Sequence, residues 1–308
     1  MATTRILVGY DGGPAARDAL ALAVALAEAT DARLVLGVVL PQVSALSSAA
    51  ARQEAAGGGS AAAFATASSQ LEAIDTRIVP ERRAIAAEPA ADGLRDLARS
   101  EDADLIVLGA SHRGPLGRIV VGSTADRLLA GADRSVAVAP RGYADREAPV
   151  IRLVGLAYDG SVEARAAATV ARGIALRACA PLRAFGVCAP PSSVAGDDDR
   201  ETALERELHE LVGSLPAEVG GQVIALAGDP VDALLAQGRH AADIVVFGSH
   251  GAGKLMRLLG ASVSSEVIRG APWPVLVVAP HRPLPFALPD YDDPGERRAG
   301  QRATAPSA

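Results

Sequence analysis

Lysine is almost absent from this chain. Lys254 stands alone among 308 residues, and arginine carries nearly all the positive charge. The formal net charge is −6 and no basic block occurs, so nucleic acid is not the expected partner, because binding a phosphate backbone needs clustered cations. Cysteine is scarce too. Cys179 and Cys188 form no CxxC and hold no metal-ligand spacing to any histidine, which excludes a disulfide framework and predicts two buried thiols in a reducing compartment. Aromatic residues make up 3% of the chain, so the core must be built from Val, Ile, Leu and Ala. No apolar run approaches the ~20 residues of a membrane span. The first five residues lead directly into a strand and leave no room for a secretory leader. The expectation is a cytoplasmic protein with neither membrane nor nucleic-acid partner.

What the chain does have, it has twice. Ile6-Leu7-Val8-Gly9-Tyr10-Asp11-Gly12-Gly13 returns as Leu153-Val154-Gly155-Leu156-Ala157-Tyr158-Asp159-Gly160-Ser161. Ala103-Asp104-Leu105-Ile106-Val107-Leu108-Gly109-Ala110-Ser111-His112 returns as Ala242-Asp243-Ile244-Val245-Val246-Phe247-Gly248-Ser249-His250-Gly251. Asp11 and Asp159 lie 148 residues apart, Gly109 and Gly248 lie 139 apart, and the first half therefore carries nine extra residues. A duplication of this length means two domains of one architecture.

Each half opens with a short apolar run that ends at an Asp-Gly turn. A helical stretch follows, over 14–28 and 162–177, and then a second apolar run over 33–40 and 182–188. Third strands are predicted near 76–85 and 222–227, fourth strands at 105–108 and 244–247, and fifth strands at 136–139 and 275–279. Continuous apolar runs alternating with helices indicate βαβ units and a parallel sheet covered on both faces. The fold class is α/β: two Rossmann-like domains, each a five-stranded parallel sheet with helices on both faces, related by a pseudo-twofold. The domains are placed at 1–143 and 149–281, with a disordered tail over 282–308 that is rich in Pro, Asp, Arg and Gly. The extra residues fall in 45–63, which contains Gly57-Gly58-Gly59-Ser60 and reads as a mobile low-complexity loop. The two closing strands are apolar and need protection. They are predicted to meet as a pseudo-twofold pair.

In a doubly wound sheet, ligands bind beyond the carboxyl ends of the strands, at the topological switch point. Asp11 and Asp159 sit there after the first strands. Gly109 and Gly248 sit there after the fourth, each opening a glycine-rich loop that runs into a helix near Ser123 or Ser262. Exposed backbone N–H groups and a helix N-terminus suit a phosphate. The blander alternative is that the serines only cap helices and the glycines only turn the chain. Gly248 to Leu255 nearly spells a P-loop, but Leu255 stands where Ser or Thr should hold Mg²⁺, and Pro115 replaces the lysine in the first copy. Trp273 is expected to pack at the domain interface, His209 to be solvated, and Arg17, Asp18, Glu163, Ala164 and Arg165 to lie on exposed helix faces.

The Asp after strand one, the closing Val-Ala-Pro, and a G-x2-G-x9-G-S/T loop together resemble the universal stress protein family. Residues 4–281 look like a tandem member with two fused domains. The resemblance implies ATP binding. The acidic residue after strand one and main chain in strand two would hold the adenosine, and the loop would wrap the phosphates. Carried onto this chain, the first site would use Asp11, Val38, Gly109, Gly122, Ser123 and Thr124. The second would use Asp159, Val187, Gly248, Gly251, Ser262 and Val263. Each copy departs from the motif once: His112 stands at the second glycine of the first loop, and Ala261 at the third glycine of the second. A Cβ at either place would crowd a phosphate, or strain the backbone if φ must be positive. His112, Arg113 and Arg118 in one loop, and His250, Lys254 and Arg257 in the other, are candidate phosphate contacts or simply solvated side chains.

Three functions remain open. The first is a nucleotide-dependent stress-response protein that binds ATP, with or without Mg²⁺, and couples occupancy to homodimer assembly or to a regulatory protein partner. The second is a slow ATPase, against which stands the lack of a repeated general base or of a second acidic motif for a catalytic metal. The third is a nucleotide-free scaffold of the same fold. No catalytic residue and no protein-held metal are assigned.

Overall fold

The computed structural model describes residues 3–42, 49–111, 116–131, 133–146, 150–187, 197–249, 263–280 and 284. The first half runs β1 (Arg5–Gly9), α1 (Pro14–Thr30), β2 (Arg33–Leu40), α2 (Ala49–Ile74), β3 (Glu81–Ala86), α3 (Ala90–Ser100), β4 (Leu105–Gly109), α4 (Ser123–Gly131) and β5 (Ser135–Ala139). The second half repeats it as β6 (Val154–Tyr158), α5 (Val162–Ala178), β7 (Leu182–Val187), α6 (Asp197–Gly213), β8 (Gly221–Leu226), α7 (Pro230–Ala236), β9 (Ile244–Gly248), α8 (Val263–Gly270) and β10 (Val275–Val278), with a short 3-10 turn at Gly238–His240. This is the α/β fold predicted from the alternation of apolar runs and helices.

All ten strands form one sheet in the order β3-β2-β1-β4-β5-β10-β9-β6-β7-β8. Within each half every pairing is parallel. At the centre β5 and β10 pair antiparallel, with Val138 opposite Val275 and Val136 opposite Val277. The two closing strands therefore protect each other's edge, as their apolar sequences predict. Ile6, Leu7 and Val8 of β1 are fully buried, because β1 lies between two strands and under helices on both faces. Each such side chain contributes about 1.5–3 kcal/mol through burial.

One apolar layer gathers α1, α2, α5 and α6 over one face, and the other gathers α3, α4, α7 and α8. Helix α1 is buried along nearly its whole circumference, from Ala19 through Ala27, since it packs on the sheet and also against α2 and α5. A helix apolar on all sides belongs in such a central position. Pro14 starts it without a side-chain cap, and Asp31 ends it in the left-handed region at φ 53°. Its counterpart α5 is capped by Ser161, whose hydroxyl accepts from the Ala164 N–H, and ends likewise at Cys179 with φ 49°.

Several expectations need correcting. Most of the stretch expected to be a mobile loop, 45–63, is helical, because α2 begins at Ala49 and runs through Gly57-Gly58-Gly59. Ala63 and Ala67 are buried, and Gln70 donates to the Arg17 carbonyl of α1 at 2.7 Å. Tertiary packing on α1 outweighs the local penalty of three glycines. Cys179 is exposed rather than buried, since the C-cap position places it where the helix ends; Cys188 lies outside the described residues. Asp18 is buried, not solvated: it is 4% exposed, and its two oxygens accept the N–H groups of Gly142 and Ala144 at 2.8 Å each. Trp273 is fully buried and stacks on Phe247 with ring centroids 6.1 Å apart, while His209 is exposed as expected. Beyond residue 280 only Leu284 is described, and it is packed into the layer on the α1 side. Among the described residues no helix is long and apolar enough to cross a membrane.

Candidate functional site

From β1 the chain turns one way to β2 and β3, and later the other way to β4 and β5. The carboxyl ends of β1 and β4 therefore border the switch point of the first half, where a doubly wound sheet leaves a crevice. A cleft of ≈ 620 Å³ lies there, lined by residues at the ends of β1, β2 and β4, by the start of α1 and by the start of α4. That volume lies within the usual range for small-molecule sites.

One wall is the Asp11 turn. The carboxylate oxygen Oδ1 accepts the N–H of Gly13 at 2.8 Å, and Gly12 adopts φ 82°, a conformation suited to glycine. The other oxygen has no hydrogen bond among the described residues. The same turn recurs in the second half, where Asp159 Oδ1 accepts from the Ser161 N–H at 3.0 Å and Gly160 has φ 78°.

The opposite wall is the N-terminus of α4. Its first closed turn is the Asp126 N–H to Gly122 carbonyl bond at 2.9 Å. The amides of Ser123, Thr124 and Ala125 precede it and find no acceptor among the described residues. All three residues line the cleft, so three unpaired donors and the positive end of a helix dipole meet at this wall.

The two glycines carried over from the motif differ in physical role. A Cβ on Gly109 would overlap the carbonyl oxygen of Ala15, and one on Gly248 would overlap the main chain at Glu163. Glycine is needed there so that α1 and α5 can cross close over the strand ends. Gly122 differs: its φ is not positive, and a Cβ would meet only the Ser111 Cβ, at an ordinary 3.8 Å. Among the described residues nothing in the packing requires glycine at 122, and both Gly122 and Ser111 line the cleft. A side chain at 122 would take up space that a bound group could use.

Val38 itself is not part of the lining. Its side chain is buried in the α1-side layer with Leu34 and Leu36, whereas Gly37 and Val39 border the cleft. The main chain follows the same alternation. The Gly37 carbonyl accepts from the Tyr10 N–H on the β1 side, and the Leu40 carbonyl accepts from Ala87 on the β3 side. Successive residues of a strand address opposite neighbours, so Val38 is engaged with β3. The amide and carbonyl of Val39 point over the end of β1 into the cleft. A motif copied by position is thus one residue from the main chain that β2 offers.

Tyr10 also lines the cleft. Its hydroxyl pairs with Gln70 Oε1 of α2 at 3.3 Å, and burial raises its pKa above the usual phenol value. Tyr158 is the second copy; its hydroxyl donates to Glu207 of α6 at 2.7 Å, and Arg165 reaches the same carboxylate at 3.2 Å. Burial, and then the Glu207 carboxylate, raise the Tyr158 pKa strongly. A tyrosine directly before the aspartate in both halves was a visible signal for this anchor.

For the second site, Asp159 and Gly248 lie at the carboxyl ends of the adjacent strands β6 and β9. Val187 ends β7 and Val263 begins α8. His112, Arg113, His250, Gly251, Lys254, Arg257, Ala261 and Ser262 lie outside the described residues. Arg118 does not turn to the cleft; its Nη1 donates to the carbonyl of Gly270 at 3.0 Å. Among the described residues no three His, Cys, Asp or Glu side chains group as a metal site. Asp11 and the hydroxyl-bearing Ser123 and Thr124 line the cleft.

A sequence profile of the Universal stress protein family matches residues 2–140 and again 151–279. A universal stress protein of Thermus aquaticus is 36% identical over 141 residues, which is 42% of this chain and 99% of that one. One from Mycolicibacterium smegmatis is 31% identical over 191 residues, covering 59% of this chain and 63% of the relative. Among solved structures, a universal stress protein of Archaeoglobus fulgidus superposes with a TM-score of 0.70 at 21% identity, over 91% of this chain and 100% of its own.

Proposed function

The chain belongs to the universal stress protein family, and from that premise we propose that it is an ATP-binding stress-response protein whose first cleft is a working nucleotide site. The single observation that carries this reading is Gly122, a glycine that the packing of the described residues does not require, set at the N-terminus of α4 and opening on the cleft. There the unpaired amides of Ser123, Thr124 and Ala125 would donate to phosphate oxygens. The free Asp11 oxygen would accept from a ribose hydroxyl, and the amide and carbonyl of Val39 would pair with the edge of the adenine. The α4 amides and the second Asp11 oxygen have no partner among the described residues, which is why a nucleotide fits better than an apolar ligand.

The function follows from the equilibrium. A ligand present at ~1,000 times its dissociation constant adds about 4 kcal/mol to the folded state. ATP at cellular concentration would then be a structural component, and its loss a signal to a protein partner or to homodimer assembly. The domains 1–143 and 149–281 are proposed as the two nucleotide-binding units, in a cytoplasmic protein.

The test starts with protein purified without added nucleotide. It is heat-denatured, and the supernatant is run on an anion-exchange column. Released adenine nucleotide, together with a higher Tm when MgATP is added, is the expected outcome. No release and no shift would end the nucleotide reading. Hydrolysis is decided separately by single-turnover assays on wild type and on an Asp11→Ala, Asp159→Ala double variant, with equal residual rates meaning that the protein is no ATPase.

A further inference from the structure

Three successive carbonyls in the second domain are filled by donors from the first half and from the linker, residues 141–149, that leads out of it. The Gly270 carbonyl accepts from Arg118 Nη1 at 3.0 Å. The Ala271 carbonyl accepts from the Ile119 N–H at 3.0 Å. The Pro272 carbonyl accepts from Arg146 Nη2 at 2.8 Å. These carbonyls form the connection from α8 to β10, and the first two donors belong to the loop between β4 and α4. The Ile119 side chain is fully buried in the same layer as Trp273. Gly117 lies directly beneath the guanidinium of Arg239, also from the second domain, and adopts φ 75°, a conformation that favours glycine.

This seat is close to the ligand wall. Gly122 is three positions on from Ile119, a reach of at most about 10 Å even when extended. In between, the Val120 carbonyl accepts from the Ser111 N–H at 2.7 Å, which ties the returning loop to the cleft edge. Among the described residues the loop gains further support from Arg141, whose carbonyl accepts from the Gly117 N–H at 2.8 Å and whose N–H donates to the Arg118 carbonyl at 3.2 Å. The wall that presents Gly122 and the α4 amides therefore takes its position from the other domain.

We propose that Arg118 and Ile119 are positioning residues, through which the second domain holds the phosphate-facing wall of the first cleft in its binding geometry. The proposal rests on the nucleotide reading of that cleft. Neither residue touches the ligand, so their effect on affinity passes through the seat on residues 270–272. The sequence recurs in kind, since Arg257-Leu258 follows Arg118-Ile119, and Gly270-Ala271 follows Gly131-Ala132, each 139 residues on.

The experiment uses the full chain carrying Asp159→Ala, so that the first cleft is followed, with Arg118→Met, Arg118→Lys and Ile119→Ala added singly. MgATP affinity is measured by calorimetry, and amide hydrogen exchange over 117–122 is measured without nucleotide. Arg118→Met and Ile119→Ala are expected to weaken MgATP binding roughly two- to thirty-fold and to speed exchange in 117–122, with exchange in β1 and β4 unchanged. Arg118→Lys, which can still donate to the Gly270 carbonyl, is expected to recover most of the affinity. Unchanged exchange in both loop variants overturns the proposal, as does faster exchange with unchanged affinity. If the parent protein binds no MgATP, the nucleotide reading has failed instead, and exchange alone decides whether the second domain seats the loop.

Discussion

Asp18 is a carboxylate placed inside an apolar layer, on the helix that packs at the centre of the molecule, where it holds the N–H groups of Gly142 and Ala144. Burial raises its pKa, and the two backbone donors oppose that rise. The consequence for stability has a definite sign. A carboxyl that ionises at higher pH when folded than when unfolded favours the folded state at low pH, and that contribution fades as pH rises through the raised value. The Tm of wild type relative to Asp18→Asn should thus fall as pH is raised from about 4 to neutrality. Asp18→Ala strands two amides and should lower stability by roughly 1–3 kcal/mol in thermal or urea denaturation. The two motif glycines make the second residue-scale prediction. Gly109→Ala forces a side chain into the Ala15 carbonyl and should cost roughly 1–3 kcal/mol or more. Gly122→Ala should leave Tm unchanged and weaken MgATP binding. Equal effects on Tm would mean that Gly122 serves packing after all. Asp11 and Gly122 were legible in the sequence because they recur in kind or follow a motif. Asp18 was not, since an Arg-Asp pair on a helix reads as solvated until the linker that covers it is in place.

At the scale of elements, α2 is the instructive case. A run of three glycines and low complexity reads as a loop by composition, yet the helix persists because Ala63, Ala67 and Gln70 dock on α1 and β2 is adjacent. Gly58 is exposed, with nothing among the described residues within 4 Å of the place a Cβ would occupy. Gly58→Ala should therefore stabilise the protein by about 0.5–1 kcal/mol, read as a higher Tm; destabilisation would mean that the glycine serves another conformation. Strand positions were read well where apolar runs are continuous, as in β1, β4 and β9. The third strand was placed too early, because β3 is an edge strand. Its residues alternate in exposure and carry Glu81, Arg82 and Arg83, of which Glu81 pairs with Arg5 and Arg83 with Glu101, so no apolar run marks it. Val38 and Val39 give the same lesson at finer grain. A family motif supplies the strand, but only the register against β1 and β3 tells which residue faces the cleft.

For the whole molecule, duplication was the strongest signal, and it led correctly to the pairing of the two closing strands. A symmetric homodimer would achieve this with two chains, and here one chain does it with itself. The first domain alone should expose both the β5 edge and the apolar Ile119 side chain. Residues 1–143, produced separately, are expected to self-associate through β5, with sedimentation reporting a dimer. A stable monomer would mean that the edge is covered in some other way. The inequality of the halves, visible in the sequence as nine extra residues and as motif departures at different places, has a further part that only the structure conveys. The linker and Asp18 belong to the first half alone, and Ala166 stands at the position of Asp18 in the second.

The antiparallel seam between β5 and β10 has a consequence for what can read this protein. Strands on either side of it run in opposite directions, so the carboxyl ends of the two strand sets emerge at opposite rims of the sheet. Five-residue strands put those rims roughly 17 Å apart. A partner docked over one rim faces the carboxyl ends of one strand set and only the amino ends of the neighbouring strands beside it. The molecule thus has two heads and no common face, and a protein that senses both at once must either wrap the sheet or come as a pair.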